Sequence, residues 1–99
     1  MSRLETLMTE ERRLHILRLL DESNNTTAPD AVLNMVLREM GMGVSHDRLA
    51  TDLEWLREQG LVLRNSIGGI AQATATMHGV DVARGQARVP GVARPKPGA

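Results

Sequence analysis

The sequence predicts a mainly α-helical fold with one small β-hairpin, and three observations lead to this fold class. Apolar residues recur at helical spacing in three segments, which turn-forming residues separate. Gly68 and Gly69 stand between two runs of β-compatible residues, LVLRNS and IAQATA. After these runs, Thr76 opens a short segment with a helical pattern. In a chain of 99 residues, these elements make one small domain.

The first helix is predicted over Thr9–Glu22. A hydroxyl residue followed by Glu10 and Glu11 is typical of a helix start, because it caps the first turn and complements its dipole. The apolar residues form one broad face, which consists of Leu14, Ile16, Leu17, Leu19 and Leu20. The same spacing continues upstream in Leu4, Leu7 and Met8. A helix start near Ser2 is therefore the alternative.

The second helix is predicted to begin at Pro29-Asp30, after the turn-forming residues of SNNTTAPD. Its apolar face consists of Val32, Leu33, Val36, Leu37 and Met40. Gly41 and Gly43 are expected to end it, because glycine readily adopts the left-handed conformation that follows many helices.

The third helix is predicted to follow a cap at Ser45 and to end at Gly60. Its buried stripe has the spacing i, i+4, i+7 and consists of Leu49, Leu53 and Leu56. Gly68-Gly69 then forms the two-residue turn of a hairpin, and Thr76 caps a short last helix, MHGVDVARG. The order of three helices, strand, turn and strand is that of the winged helix-turn-helix fold, in which the hairpin is called the wing.

A change in charge sets the end of the chain apart. Residues 1–81 carry eight arginines against twelve acids, a balance of −4, whereas residues 82–99 carry four basic residues and no acid. Three of the four prolines also lie in this last segment. We predict a winged-helix domain over residues 1–86 and a basic C-terminal arm over residues 87–99 that buries little. The arm is either a disordered, solvated chain end or a basic segment that contacts phosphate or a partner protein.

Composition excludes several classes of protein. The chain has no Cys, so disulfides, Cys-ligated zinc and thiol catalysis are excluded. Trp55 is the single aromatic residue, which argues against RNA-binding modules that stack bases on aromatic rings. His15, His46 and His78 fall in separate elements, so we expect no metal site. No nucleotide-binding or nucleophile motif is present, and we expect neither an enzyme nor a cofactor.

The apolar runs also bear on location. No run reaches the ~18–20 residues that a transmembrane helix requires, and the N-terminal segment lacks the apolar stretch of a signal peptide. Twelve acidic and twelve basic residues give a formal charge of zero. We therefore expect a cytoplasmic protein without a membrane partner.

Two segments carry a resemblance to a known family. The segment VSHDRLATDLEWLREQGLV resembles the third helix and first wing strand of bacterial winged-helix regulators of the DeoR and ArsR type. The matching residues are Val44, Ser45, Leu49, Asp52, Leu53, Leu56, Gly60, Leu61 and Val62. TATMHGVDVARG resembles the segment that follows the wing, with Thr76, Gly79 and Ala83 in matching positions. The whole chain also resembles small winged-helix proteins of Mu-like phages and prophages.

The resemblance implies that the third helix lies in a DNA major groove. The outward residues that it implies are His46, Asp47, Arg48, Thr51, Asp52 and Trp55. Trp55 also lies on the flank of the leucine stripe, which predicts instead that its indole packs against the first or second helix. DeoR-type proteins carry two arginines where this chain has Ala50 and Thr51. The helix holds four acids against two arginines, which opposes binding to a polyanion, although an Arg elsewhere in the fold can neutralise Asp52. The candidate DNA-binding residues are Ser45, His46, Arg48, Thr51, Arg64, Asn65, Arg88, Arg94 and Lys96.

Two functions remain open at this point. The first is a phage or bacterial transcriptional regulator that binds double-stranded DNA as a homodimer, in the cytoplasm of a bacterium or of a phage-infected cell. The apolar N-terminal segment with Leu4, Leu7 and Met8 is the predicted dimer contact. The alternative is a winged-helix module that binds protein and no DNA, through Trp55, Met42 and Leu7. Convergence of Arg48, Arg64, Arg84 and Arg88 on one face would favour DNA.

Overall fold

The computed structural model describes residues 2–96, and these residues form four α-helices and a three-stranded antiparallel sheet. The helices are α1 (Arg3–Glu22), α2 (Asp30–Glu39), α3 (His46–Glu58) and α4 (Met77–Ala83). The strands are β1 (Thr27–Pro29), β2 (Val62–Ile67) and β3 (Ile70–Ala75), in the spatial order β1-β3-β2. The predicted helices and hairpin are confirmed, and a third strand joins them.

Helix α1 begins at the earlier of the two predicted positions. The Ser2 hydroxyl accepts a hydrogen bond from the backbone N–H of Glu5, which caps the first turn. The predicted start at Thr9 is wrong, because this residue lies inside the helix and is buried. Its hydroxyl instead accepts hydrogen bonds from the guanidinium groups of Arg12 and Arg48, at 3.5 and 3.4 Å.

Strand β1 lies in a segment that the sequence predicted to be a turn. Thr27 pairs with Thr74 of β3, and their hydroxyls are 2.7 Å apart. The turn prediction itself holds just upstream, where Asn25 adopts a positive φ of 55°. A strand of three residues that ends in proline leaves little pattern, and its partner lies 47 residues further along the chain. Long-range pairing therefore decided this element.

The hydrophobic core is aliphatic and lies between the helices and the inner face of the sheet. Its largest fully buried apolar residues are Ile16, Leu17, Leu20, Leu33, Leu37, Leu49, Leu53, Leu56, Leu61 and Val62. The predicted stripe of α3 is confirmed in full. In α2, however, Val32 and Met40 are exposed, and Asn34 is buried beside Leu33 and Leu37. The apolar face of α2 is thus narrower than its sequence predicts.

The hairpin turn has the predicted geometry. Gly68 and Gly69 both have positive φ, at 58° and 80°, as a two-residue turn between twisted antiparallel strands requires. Ile67 pairs with Ile70 across this turn, and the register continues to Val62 opposite Ala75. The two glycines therefore serve the turn, as the sequence predicts.

The start of α4 is fixed against Gly60 and Leu61, the two residues that precede β2. Thr76 caps the helix by accepting a hydrogen bond from the N–H of Gly79, and its hydroxyl lies 2.8 Å from the Gly60 carbonyl oxygen, to which it donates. Gly79 is buried directly against the backbone of Leu61, and an added Cβ would overlap the Leu61 carbonyl oxygen. Close backbone approach is therefore the reason for glycine at this position.

Replacement of Gly79 by alanine is expected to lower the free energy of unfolding by ~1–3 kcal/mol, because the methyl group forces α4 away from the Leu61 carbonyl. Urea denaturation followed by circular dichroism measures the change. Met77→Ala is the control, since Met77 is 81% exposed in the same helix. Equal stability of both variants would contradict the close approach.

The C-terminal segment returns across α1. Val92 is buried in the core, the N–H of Ala93 donates to the Glu10 carbonyl, and Arg13 donates to the Gly91 carbonyl. The expectation that this segment buries little is therefore wrong for Val92. The Val92 side chain packs over α1 although it follows Pro90 by only two residues, and the composition of the segment did not reveal this packing. Residues 97–99 of the predicted arm lie outside the described residues.

Candidate functional site

A buried ion-pair network fixes α3 against α1. Asp52 is 1% exposed, and its carboxylate lies 2.5 Å from Arg12 Nε, which is itself buried. Arg13 Nε lies 3.6 Å from the other carboxylate oxygen. The outward position that the resemblance implied for Asp52 is therefore wrong, whereas its expected neutralisation by an Arg is confirmed. Asp52 orients α3 and adds no charge to its solvent face.

Trp55 packs inward rather than facing solvent. The Arg13 guanidinium carbon lies 3.9 Å from the centre of the Trp55 ring, which is a cation–π contact. Burial lowers the pKa of Arg13, because it disfavours the charged form. Gly91 lies against the indole so closely that a Cβ there would collide with it. The half-buried ring thus joins α1, α3 and the C-terminal segment. The predicted packing of Trp55 against the first helix is confirmed, and the outward position that the resemblance implied is wrong.

The start of α3 is held by a residue that the sequence did not single out. The buried Asn34 of α2 donates to the Val44 carbonyl at 2.8 Å and accepts from the Val44 N–H at 3.3 Å. These two bonds fix the loop that leads into the Ser45 cap. A polar residue inside the apolar stripe of α2 was the signal that could have revealed it.

The predicted contact residues of α3 lie at its N-terminal end. Ser45 caps the helix by accepting from the N–H of Arg48, and the Thr51 hydroxyl donates to the Asp47 carbonyl. His46 and Arg48 are exposed, and the Arg48 guanidinium leans toward Thr9 of α1. The structure thus brings these four candidates together on one end of α3.

The solvent face of α3 is acidic along its length. Asp47, Thr51, Glu54 and Glu58 have the spacing i, i+4, i+7, i+11, which places them on one face, and all four are exposed. Arg57 lies beside this face and binds Glu54, with 2.5 Å between Nη2 and Oε1. This hydrogen bond lowers the pKa of Glu54 and raises that of Arg57. We call Asp47, Thr51, Glu54 and Glu58 the acidic stripe, because three of these four side chains are carboxylates.

Arg64 of the hairpin is bound by a buried carboxylate. Two hydrogen bonds of 2.6 and 2.8 Å join its guanidinium to Asp30 at the start of α2. Asp30 is 4% exposed, and the hydrogen bonds raise the pKa of Arg64. The guanidinium therefore tethers the hairpin to α2. Its predicted neighbour Asn65 is exposed on the opposite face of β2.

The outer face of the sheet carries no charged residue. Strand alternation and the pairing register place eight residues on it: Thr27, Pro29, Leu63, Asn65, Ile67, Ile70, Gln72 and Thr74. Three of them are large apolar side chains that are well exposed, Leu63 at 62%, Ile67 at 63% and Ile70 at 59%. We call these three residues the apolar patch. Apolar residues on both faces of VLRNSI were the signal that could have revealed it.

The arginines that would distinguish DNA from protein binding do not form one cluster. Arg84 binds Asp21 near the end of α1, and this hydrogen bond raises its pKa. Arg48 lies beside Thr9, twelve residues earlier on α1, which corresponds to ~18 Å along the helix. The tail cations Arg88, Arg94 and Lys96 are exposed. Arg94 and Lys96 line a cleft of about 190 Å³ beside α1.

Residues 2–96 contain no group of three or more His, Asp or Glu side chains that could hold a metal ion. Within the same range, no helix combines the length and the apolar composition that crossing a membrane requires.

The chain is similar to the uncharacterised protein gp26 of Escherichia phage Mu. The two are 44% identical over 91 residues, which cover 92% of this chain and 94% of gp26. The chain belongs to the gp26 family. An uncharacterised protein of Haemophilus influenzae is 39% identical to this gp26-family chain over 56 residues, which cover 57% of the chain and 54% of that protein. No protein-family model and no solved structure matches the chain.

The gp26 relationship confirms the predicted likeness to proteins of Mu-like phages. It covers 92% of this chain and 94% of gp26, so the two proteins match over nearly their whole lengths. The predicted winged-helix family and the function that follows from it remain predictions.

Proposed function

We propose that this gp26-family chain is a winged-helix protein that acts by binding another protein through its wing. The winged-helix assignment rests on the element order α1, β1, α2, α3, β2, β3 and on the sheet order β1-β3-β2. In this assignment α3 is the second helix of the helix-turn-helix and the β2–β3 hairpin is the wing. The fold alone fixes no activity, so the proposal rests on the surfaces.

The observation that carries the proposal is the apolar patch. Leu63, Ile67 and Ile70 are each more than half exposed on a sheet face without charge. Apolar side chains grouped in this way on a soluble domain are typical of a protein contact, because their burial against a partner removes them from water. By the pairing register, Asn65 and Gln72 lie between Leu63 and the Ile67–Ile70 pair, so a partner would contact polar side chains as well as the apolar ones. A wing that enters a DNA groove would instead present cations.

The acidic stripe supports the same proposal. Affinity for duplex DNA depends mainly on the neutralisation of phosphates by Lys and Arg. Asp47, Glu54 and Glu58 place three carboxylates on the solvent face of α3, and the neighbouring Arg57 is engaged by Glu54. Arg64, the predicted wing cation, is engaged by Asp30. These charges oppose a close approach of α3 and the wing to a phosphate backbone.

DNA binding is the second candidate, and one observation favours it. Ser45, His46, Arg48 and Thr51 lie together at the N-terminal end of α3, where the helix dipole favours an anion. In a dimer, the exposed tail cations Arg88, Arg94 and Lys96 would add six phosphate contacts. This candidate therefore predicts a steep dependence of affinity on salt.

The first experiment measures binding of the full chain to duplex DNA by fluorescence anisotropy at two salt concentrations. The proposal expects no salt-sensitive binding at ~50 mM salt. Binding that weakens by ~1–3 kcal/mol in Arg48→Ala would support the DNA candidate instead. Under that candidate, replacing Arg88, Arg94 and Lys96 by Gln flattens the salt slope by up to ~5 units. Gln replacement is preferable to truncation, because Val92 is buried.

The second experiment tests the wing directly. A tagged chain is expressed in bacterial cells in which a Mu-like phage replicates, and the proteins that remain bound to it after purification are identified by mass spectrometry. Leu63→Ser with Ile67→Ser is expected to lose a partner that the parent chain retains, because two anchors of the apolar patch become polar. Met77→Ser is the matched control, since Met77 is 81% exposed and lies outside the patch. Equal retention by all three chains would contradict the proposal.

A further inference from the structure

We infer that two copies of this chain associate through the N-terminal half of α1, packed antiparallel about a two-fold axis near Leu7. This surface is separate from the apolar patch, so the inference does not depend on the function proposed above. A second copy of the chain then covers the apolar face at the start of α1. Three observations on α1 carry this inference.

The first observation is an apolar stripe without a cover in the described chain. Leu4, Leu7 and Met8 are 67%, 48% and 49% exposed, and their spacing places them on one face of α1. The buried part of the helix starts only at Thr9. The first two turns therefore project beyond the core and leave these three apolar side chains in water, which is unfavourable. A contact with an apolar surface would stabilise them.

The second observation is a cleft beside this stripe. Leu7 and Met8 form one wall, and Met42 and Val44 of the α2–α3 loop form the other, around a volume of about 190 Å³. The opening is lined largely by apolar side chains, which suits an aliphatic knob from another helix. In an antiparallel pair, Leu4 of the second copy lies on the face that approaches this cleft. The same contact is repeated by the two-fold axis.

The third observation is the charge at the two ends of the stripe. Arg3 precedes Leu4, and Glu11 lies one turn beyond Leu7, with both side chains accessible. Antiparallel packing centred on Leu7 places residue 3 of one copy opposite residue 11 of the other. Each copy then offers its Arg3 to the Glu11 of the second copy, and the axis produces this pair twice. A parallel pair would oppose like charges, so the charges select the antiparallel arrangement.

The oligomeric state of the full chain provides the first test. Sedimentation equilibrium is expected to show a dimer at micromolar concentration, and Leu7→Asp is expected to shift the chain to a monomer while circular dichroism stays unchanged. Met77→Asp is the control, because it adds the same charge at an exposed apolar position of α4. A parent chain that stays monomeric at high micromolar concentration, or equal dissociation by both variants, would overturn the inference.

Charge exchange provides the second test, and it addresses the orientation. Arg3→Glu alone and Glu11→Arg alone are each expected to weaken the dimer by about tenfold, because both symmetric contacts become repulsive. An equal mixture of the two single variants should recover the parent affinity, since every contact in the mixed dimer again joins opposite charges. The chain that carries both changes should recover it as well. Single variants that dimerise like the parent chain would overturn the antiparallel arrangement.

Discussion

Replacement of Asp52 by alanine is expected to lower the free energy of unfolding by ~3–5 kcal/mol, the largest effect of any single exchange considered. The carboxylate is 1% exposed and lies 2.5 Å from Arg12 Nε. Its removal leaves the Arg12 guanidinium buried with only a weak hydrogen bond to Thr9, at 3.5 Å. Arg13 Nε is also buried, has no hydrogen-bond acceptor within the described residues, and would lose its nearest carboxylate.

Thermal and urea denaturation measure this effect, and two further variants interpret it. Asp47→Ala removes an exposed carboxylate from the same helix and should change stability by less than ~1 kcal/mol. The double variant Arg12→Met with Asp52→Leu should recover much of the loss, because apolar residues of similar volume often replace a buried ion pair at little cost. If Asp52→Ala and Asp47→Ala melt together, the buried ion pair does not hold α3 in place.

Leu53→Ala is expected to cost ~2–5 kcal/mol, which is the range for truncation of a fully buried leucine. Leu53 is 0% exposed and lies between Leu49 and Leu56 in the central stripe of α3. The core around it is aliphatic and already close-packed, so the removed methyl groups leave a cavity that the neighbours cannot fill. Because α3 carries both the acidic stripe and Trp55, a shift of α3 should disturb the exposed stripe and the contact between Trp55 and Arg13.

Leu63→Ala provides the comparison, since Leu63 is 62% exposed in β2. Its effect on the urea midpoint should be small, because little apolar area leaves a buried environment. The same variant is useful for function, as it weakens the apolar patch without loss of the fold. An unchanged midpoint for Leu53→Ala would contradict the packing of α3.

The two stability predictions also separate folding from binding. Asp52 and Leu53 are adjacent on α3, but one contributes charge neutralisation and the other contributes packing. The apolar patch and the stripe of Leu4, Leu7 and Met8 are exposed, so exchanges there should change partner binding or association with little effect on unfolding. A variant that changes both the free energy of unfolding and partner binding must act through the core.

Local sequence determined most of the secondary structure. The spacing of Leu49, Leu53 and Leu56, the caps at Ser45 and Thr76, and the Gly68-Gly69 turn each act over a few residues, and each has the predicted geometry. Local signals did not decide between the two predicted starts of α1, Thr9 and Ser2. Thr9 has the pattern of a cap, but the upstream apolar residues continue the helix to Ser2. The longer helix is the observed one, because the Ser2 cap satisfies its first turn.

Tertiary structure alone decided which charged side chains form ion pairs and which apolar side chains are exposed. The sequence contains Arg64 and Asp30, or Arg84 and Asp21, as separate charges, and only the fold joins them into ion pairs. Pairing of β1 with β3 and the return of Val92 to the core likewise depend on residues distant along the chain. Helical and turn signals arise from neighbouring residues, whereas charge neutralisation and exposure depend on what packs opposite. The sequence therefore determined the helices and the hairpin turn, but which residues reach the surface and how they are arranged there required the fold.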